Sequence, residues 1–367
     1  MKHKIVHLFY HDDIDGIVSA AMIMNTFFRG HVYRLYPVKS SIRGDKFNSL
    51  IESLVRTDGD IVVIVDYQYH EKSELWIDHH FNDDLKDNEL HDGKRFYNSK
   101  AKSAARVIYN WFQNTPILKG TVDQHIVDIV DMIDSAGYKT VDYIFSSSEP
   151  LMILKAYLER LSIFVDSTYN RVVELIRFYN FDIQKVLFTL GVDYGIIAEL
   201  KRSADTIKNN MVIYGAMSIT EMNRLYAYPR YSEYLVKPSL KYSIRIVHLG
   251  GDRVQADVGF NKWLGEPCKI HIGQLLGSLD YPISGGGHQT VGGAIFLESE
   301  IERFIDDMCV HMNEPEEDME KYGVDENDPV EKEAEEMVKT GETKTKDEAR
   351  EKITSKEEGD PKGDVQS

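Results

Sequence analysis

At 367 residues, with 42% hydrophobic and 28% charged side chains, the chain is long enough for two ordinary cores. Two cysteines exclude a disulfide framework, and no apolar run reaches the ~20 residues that a membrane span needs. A net charge of −17 argues against a basic phosphate-binding surface, but 20 of the 60 acidic and 9 of the 43 basic side chains lie between Asn313 and Ser367, which leaves −6 for residues 1 to 312. That terminal stretch, poor in aromatic and branched residues, is expected to be a disordered acidic tail. The opening apolar run 5–10 is cut by His11-Asp12-Asp13 too early for a signal peptide, so a cytoplasmic protein is expected.

Residues 1 to about 145 alternate short apolar runs with helical patterns, which predicts a parallel sheet with crossover helices. Residues 5–10 read as a strand, 17–28 as a helix closed by Gly30, 61–65 as a buried strand, and 75–77 as a shorter one. Helices are expected over 103–114 and 122–135, the latter stopped by Gly137. The stretch 151–210 is helical in pattern and includes a connector near 196–208. Strands and glycine-rich turns follow, with strands over 211–214, 242–247 and 256–260. The predicted class is α/β: a parallel-sheet domain with flanking helices over 1–190, a helical linker over 191–210, a smaller α/β domain over 211–312, and the tail over 313–367.

In open α/β sheets, ligands gather beyond the carboxyl ends of the strands. The first strand runs into His11-Asp12-Asp13-Ile14-Asp15-Gly16, the second ends at Asp66, and the third ends in Asp78-His79-His80. Gly16 lets the chain turn tightly into the next helix. Any one of these segments could be an ordinary polar turn; what singles them out is three strand ends delivering carboxylates and imidazoles to one edge. Such a cluster repels itself unless divalent cations are present, and mixed Asp/His ligands suit Mn²⁺ or a similar borderline metal. Two divalent ions would balance four carboxylates and leave a centre that accepts anions. Two such ions ~3.5 to 4 Å apart can activate a bridging water and clamp phosphoryl oxygens, which is the chemistry of phosphoester hydrolysis.

His11-x-Asp13-x-Asp15-Gly16, Asp66 and Asp78-His79-His80 resemble the first three motifs of the DHH phosphoesterases. Gly285-Gly286-Gly287-His288-Gln289-Thr290-Val291-Gly292-Gly293 resembles the signature of the accompanying DHHA1 domain, and His-Asp-Asp-Ile-Asp-Gly looks closest to the nanoRNase B-like branch. The resemblance implies that His11 and Asp13 bind a first metal, that Asp66 bridges, and that Asp15 and His79 bind a second. It also implies that His80 faces the phosphate as a catalytic electrostatic or proton-donating group, and that Asp78 orients a histidine. The family's fourth motif is a lone Asp. Asp128, Asp131 and Asp134 share one predicted helix, whose apolar face on a 100-degree wheel is Ile126, Ile129, Val130 and Ile133. Asp134 lies nearest its border and is followed four places on by Tyr138, so Asp134 is chosen, with Asp131 in reserve.

In the second domain, three glycines before His288 let backbone N–H groups approach an anion, which makes Gly286, Gly287 and His288 candidate substrate-binding residues. Read blandly, the segment is a flexible loop. Lys241, Ser243 and Arg245 alternate on one strand face, and Arg245 resembles the family's phosphate-gripping arginine. Asn261 and Trp263 resemble an element of short-oligonucleotide members, although Trp263 could equally be core. Nothing supplies the long basic groove that extended single strands require, and a ligand gripped by one domain and cut in the other must be short. The expected activity is therefore a Mn²⁺-dependent, two-metal phosphodiesterase or exonuclease that hydrolyses short RNA or DNA oligonucleotides to 5'-mononucleotides. Alternatives are a cyclic or linear dinucleotide phosphodiesterase, a 3'-phosphoadenosine-5'-phosphate phosphatase and, from another class, a catalytically silent nucleotide-binding module. No membrane partner is expected, and a homodimer is left open.

Overall fold

The computed structural model describes residues 4–27, 31–39, 42–55, 59–80, 89–115, 121–160, 166–223, 229–287 and 289–313. The described residues fall into two units, one drawn from residues 1–206 and 229–235 and the other from 207–228 and from residue 236 onward. Each contains a six-stranded sheet.

The first sheet consists of β1 (Ile5–His11), β2 (Val32–Val38), β3 (Ile61–Val65), β4 (Leu75–Asp78), β5 (Glu89–His91) and β6 (Arg95–Asn98), in the order β2-β1-β3-β4-β6-β5. All pairs are parallel except β5 with β6. Its helices are α1 (Ile14–Thr26), α2 (Asp45–Leu54), α3 (Ala104–Gln113), α4 (Gln124–Asp134), α5 (Val141–Ile144), α6 (Pro150–Arg160), α7 (Asp166–Phe178), α8 (Ile183–Leu190) and α9 (Ile196–Thr206). β1 sends Val6, Leu8 and Tyr10 into a core with α1 and α3, and Phe9 into a second core with Phe47, Ile64 and Trp76. A sheet covered on both faces explains why β1, β3 and β4 read as unbroken apolar runs. α1 is buried along its whole length from Ile14 to Met24, so its start is held rigidly against the strand ends. β2 and α2 are not among the predicted elements. β2 carries Arg34 and Pro37, which break the apolar pattern and are tolerated because it is an edge strand.

The second sheet consists of β7 (Met211–Tyr214), β8 (Met217–Asn223), β9 (Tyr242–His248), β10 (Arg253–Phe260), β11 (Ser284–Gly287) and β12 (Val291–Leu297), in the order β11-β12-β10-β9-β8-β7. Only β8 and β9 pair in parallel. A short helix α10 (Ser232–Val236) precedes β9, and α11 (Ile272–Ser278) and α12 (Ile301–Asn313) supply Ile272, Leu276, Phe304 and Met308 to the core beneath Ile244, Ala256 and Phe296.

Gly285, Gly286 and Gly287, expected as a loop, form strand β11 against β12. The reason is steric. A Cβ on Gly285 would lie 2.3 Å from the Leu276 carbonyl oxygen, and one on Gly273 would lie 2.1 Å from that of Gly287. α11 therefore packs backbone to backbone on β11, which only glycine permits. His288, the helix stop at Gly30 and the acidic stretch 314–367 lie outside the described residues. Among those described, no helix is long and apolar enough to cross a membrane.

Candidate metal centre

The carboxyl ends of β1, β3 and β4 are neighbours in the first sheet, and their side chains meet there. After β1, Asp13 caps α1 by accepting the Gly16 N–H at 3.0 Å, and its other oxygen lies 2.6 Å from His11 Nδ1. A Cβ on Gly16 would sit 2.2 Å from the His11 carbonyl oxygen, so this tight turn requires glycine. Asp66, after β3, has φ 56, a left-handed conformation that Asp tolerates better than most residues. Its N–H donates to the Ile77 carbonyl at 2.8 Å, and this places the carboxylate 3.6 Å from His11 Nδ1, 3.5 Å from His79 Nε2 and 3.7 Å from His80 Nδ1.

The segment after β4 is organised by Asp78, whose Oδ1 accepts the N–H groups of His79 and His80 and lies 2.8 Å from His80 Nδ1. His79 donates from Nδ1 to the Ala101 carbonyl at 3.2 Å. That bond leaves Nε2 as the ring's acceptor, and it points at Asp15, Asp66 and Asp134, at 3.6, 3.5 and 3.3 Å. Asp15 is buried, and its two oxygens take the Ala104 and Ala105 N–H groups at 2.6 and 2.8 Å. It thus occupies the electropositive start of α3.

Of the three candidates on α4, Asp128 and Asp131 are held by Arg106, and Asp131 also accepts from Ser103 Oγ at 2.5 Å. Asp134 faces His79. Two separate sets of three could each hold a cation, His11–Asp13–Asp66 and Asp15–His79–Asp134; a third, Asp66–His79–His80, spans the two. Sequence reasoning placed a helix start at Ser103, as found, but missed that this start holds Asp15 and that the Ala101 carbonyl receives His79. Ser103 accepting the Arg106 N–H as an N-cap was the readable signal.

In the second unit, Arg245 lies half-buried on β9, opposite Asp257 of β10 and Thr220 of β8. Asn261 donates its amide to the carbonyls of Pro238 and Leu240 at 3.0 and 2.8 Å and accepts the Trp263 N–H, so it clips a turn; Trp263 is half-buried rather than core.

The electrostatics of the first-unit cluster fit a cation site. Both oxygens of Asp66 and Nε2 of His79 are buried without a hydrogen-bond partner, and such groups are costly unless something satisfies them. Burial, then the neighbouring Asp15 and Asp13, drives the Asp66 carboxyl far above its ordinary range. Asp134 is pushed up to about 9 by burial and by Asp15, Asp66 and Asp13. For His11, burial works downward, but the Asp13 and Asp66 carboxylates raise it to about 12; reciprocally, desolvation of the partly exposed Asp13 works upward, but His11 holds it below its ordinary value.

Without divalent ions, the folded chain therefore keeps a proton on Asp134 that the unfolded chain releases above about pH 4, and its stability falls as pH rises from there towards about 9. His11 acts in the same direction above its unfolded value of 6.5. In EDTA, Tm should drop between pH 5 and 8. With Mn²⁺, which binds the deprotonated ligands, the trend should reverse. A melting temperature insensitive to pH in EDTA would contradict this description of the cluster.

No family model matches the chain, and no curated protein does. Among solved structures it is similar to the pGpG-specific phosphodiesterase PggH from Vibrio cholerae, at 21% identity and TM-score 0.59 over 85% of this chain and 99% of that one. RecJ from Thermus thermophilus, solved in complex with Mn²⁺, matches at 11% identity and TM-score 0.51 over 86% of this chain and 53% of that one, so this chain spans about half of RecJ. The DHH domain of a member of the s1p family of ribosomal proteins matches at 13% identity and TM-score 0.49, over 84% of this chain and 86% of that one.

Proposed function

We propose that this chain, whose fold is that of the DHH-domain proteins, is a two-metal, Mn²⁺-dependent phosphodiesterase that hydrolyses short oligonucleotides to 5'-mononucleotides. The observation that carries the reading is the pair of side-chain sets, His11–Asp13–Asp66 and Asp15–His79–Asp134, meeting where the buried Asp66 carboxylate, neither of whose oxygens accepts a hydrogen bond, lies 3.5 Å from His79. The first set would hold one ion and the second the other, with Asp66 between them, and carboxylate oxygens with imidazole nitrogens suit Mn²⁺. When bound, such ions polarise phosphoryl oxygens and make water a nucleophile near neutral pH.

The chain's own groups do the rest. His80 is exposed at its edge; desolvation by its neighbours works against a proton there, but contact with Asp78 outweighs that and raises the imidazole above its ordinary value. With Nδ1 turned to Asp78, the proton on Nε2 is free to be given to a departing oxygen or to balance phosphate charge. Asp15, fixed by the first N–H groups of α3, keeps its geometry through turnover. In the second unit, Arg245 with Gly286, Gly287 and His288 is assigned to the substrate's terminal phosphate.

Incubation with Mn²⁺ and a panel of two- to five-nucleotide RNAs and DNAs, linear and cyclic dinucleotides, 3'-phosphoadenosine-5'-phosphate and pyrophosphate tests the proposal. Hydrolysis of the oligonucleotides to 5'-mononucleotides is expected. Activity on pyrophosphate alone would refute it, and no turnover at all would favour a silent binding module. Likeness to a pGpG-specific enzyme supports a linear dinucleotide phosphodiesterase as the second reading, which turnover confined to dinucleotides would select.

A further inference from the structure

β6 lies beside β4 in the first sheet, so the turn that follows β6 adjoins His79 and His80. A groove of about 510 Å³ opens there, lined by Asn98, Lys100, Lys102, Asn110 and Ser135 among others. Ala101 forms part of its wall, and the Ala101 carbonyl is the group that receives His79 Nδ1; groove and metal centre therefore share a residue. Arg106 binds both Asp128 and Asp131 and offsets one of their two charges; with Lys100 and Lys102 counted, the lining carries one net positive charge. Lys100 and Lys102 are exposed and form no ion pair among the described residues.

Two uncommitted ammonium groups beside the amides of Asn98 and Asn110, in a volume typical of small-ligand sites, suit a nucleoside monophosphate. Lysine takes phosphate as a point charge, and amides recognise sugar and base edges. We infer that this groove is a nucleotide subsite in which Lys100 and Lys102 hold the phosphate one nucleotide away from the bond that is cut. The inference rests on the phosphodiesterase reading above. It predicts that a trinucleotide, which carries that extra phosphate, is a better substrate than a dinucleoside monophosphate, which does not.

The test uses the full chain with Mn²⁺ and the double variant Lys100→Ala/Lys102→Ala. On a trinucleotide, kcat/KM should fall about tenfold or more, through KM, with the slope of log affinity against log salt shallower by about 0.7 for each phosphate that is no longer neutralised. On bis(p-nitrophenyl) phosphate, which presents only the scissile phosphate, the native rate should persist, and Lys100→Arg/Lys102→Arg should restore trinucleotide affinity. Equal losses on both substrates, or no loss on the trinucleotide, would overturn the subsite. Should the native chain cut neither of these nor any member of the oligonucleotide and dinucleotide panel, the phosphodiesterase reading fails by itself. Fluorescence anisotropy of a labelled trinucleotide then decides the groove: weaker binding by the double variant supports it, and unchanged or absent binding by both chains overturns it.

Discussion

Replacing Asp66 by Asn should lower turnover with Mn²⁺ by a factor of about 10⁴ or more while leaving the chain folded, as expected when a member of an interdependent catalytic set is removed. The substitution keeps shape and backbone. Asn accepts a positive φ as readily as Asp, and the N–H bond to Ile77 does not depend on the side chain. What disappears is the negative charge between the two side-chain sets. That charge is also a burden on the ion-free protein, because burial and the Asp15 and Asp13 carboxylates all oppose it. Hence Tm in EDTA should be at least as high in the variant as in the native chain, the pattern of a site that trades stability for function. Turnover within tenfold of native would show that Asp66 is not central to the chemistry.

Gly16→Ala should damage both stability and activity. An added Cβ would lie 2.2 Å from the His11 carbonyl oxygen and 2.7 Å from the His11 nitrogen, both backbone atoms that cannot swing aside. Such overpacking costs on the order of 3 kcal/mol or more. Because the turn that must shift carries His11, Asp13 and Asp15, turnover should fall about 100-fold as well, the usual consequence of an ångström-scale misplacement. Gly277→Ala on α11 is the control: its Cβ would meet only the Gly285 carbonyl oxygen at 3.7 Å, an ordinary separation. It should be neutral or stabilising by up to ~1 kcal/mol, since alanine favours helix over glycine. Urea denaturation of the two variants, with turnover measured alongside, checks the pair. Similar stabilities for both would contradict the steric account.

How much of this was readable before the fold was known depended on the range of the interactions involved. The strands β1, β3 and β4 showed themselves because both their faces are buried, and the groups at their ends could be placed on one edge from the α/β pattern alone. Asp134 stood out from Asp128 and Asp131 by its position on the helical wheel. Its reserve, Asp131, is occupied by Ser103 and Arg106, residues 28 and 25 positions away, and no local pattern reports that. Nor could it be seen that Asp15 lies on the N-terminus of α3, a contact across 89 residues. β11 was misread because glycine has no strand propensity; its conformation is imposed by α11 packing against it, a tertiary demand. β2 was hidden by Arg34 and Pro37, whose polarity and missing N–H an edge position absorbs.

The central claim is that side chains from three strand ends and one helix hold a pair of cations. The most direct test is to count the Mn²⁺ retained per chain after equilibrium dialysis, by elemental analysis, for the native chain and Asp66→Asn. The account predicts two ions for the native chain and at most one for the variant. A native chain that retains none or one, or a variant that still retains two, would contradict it.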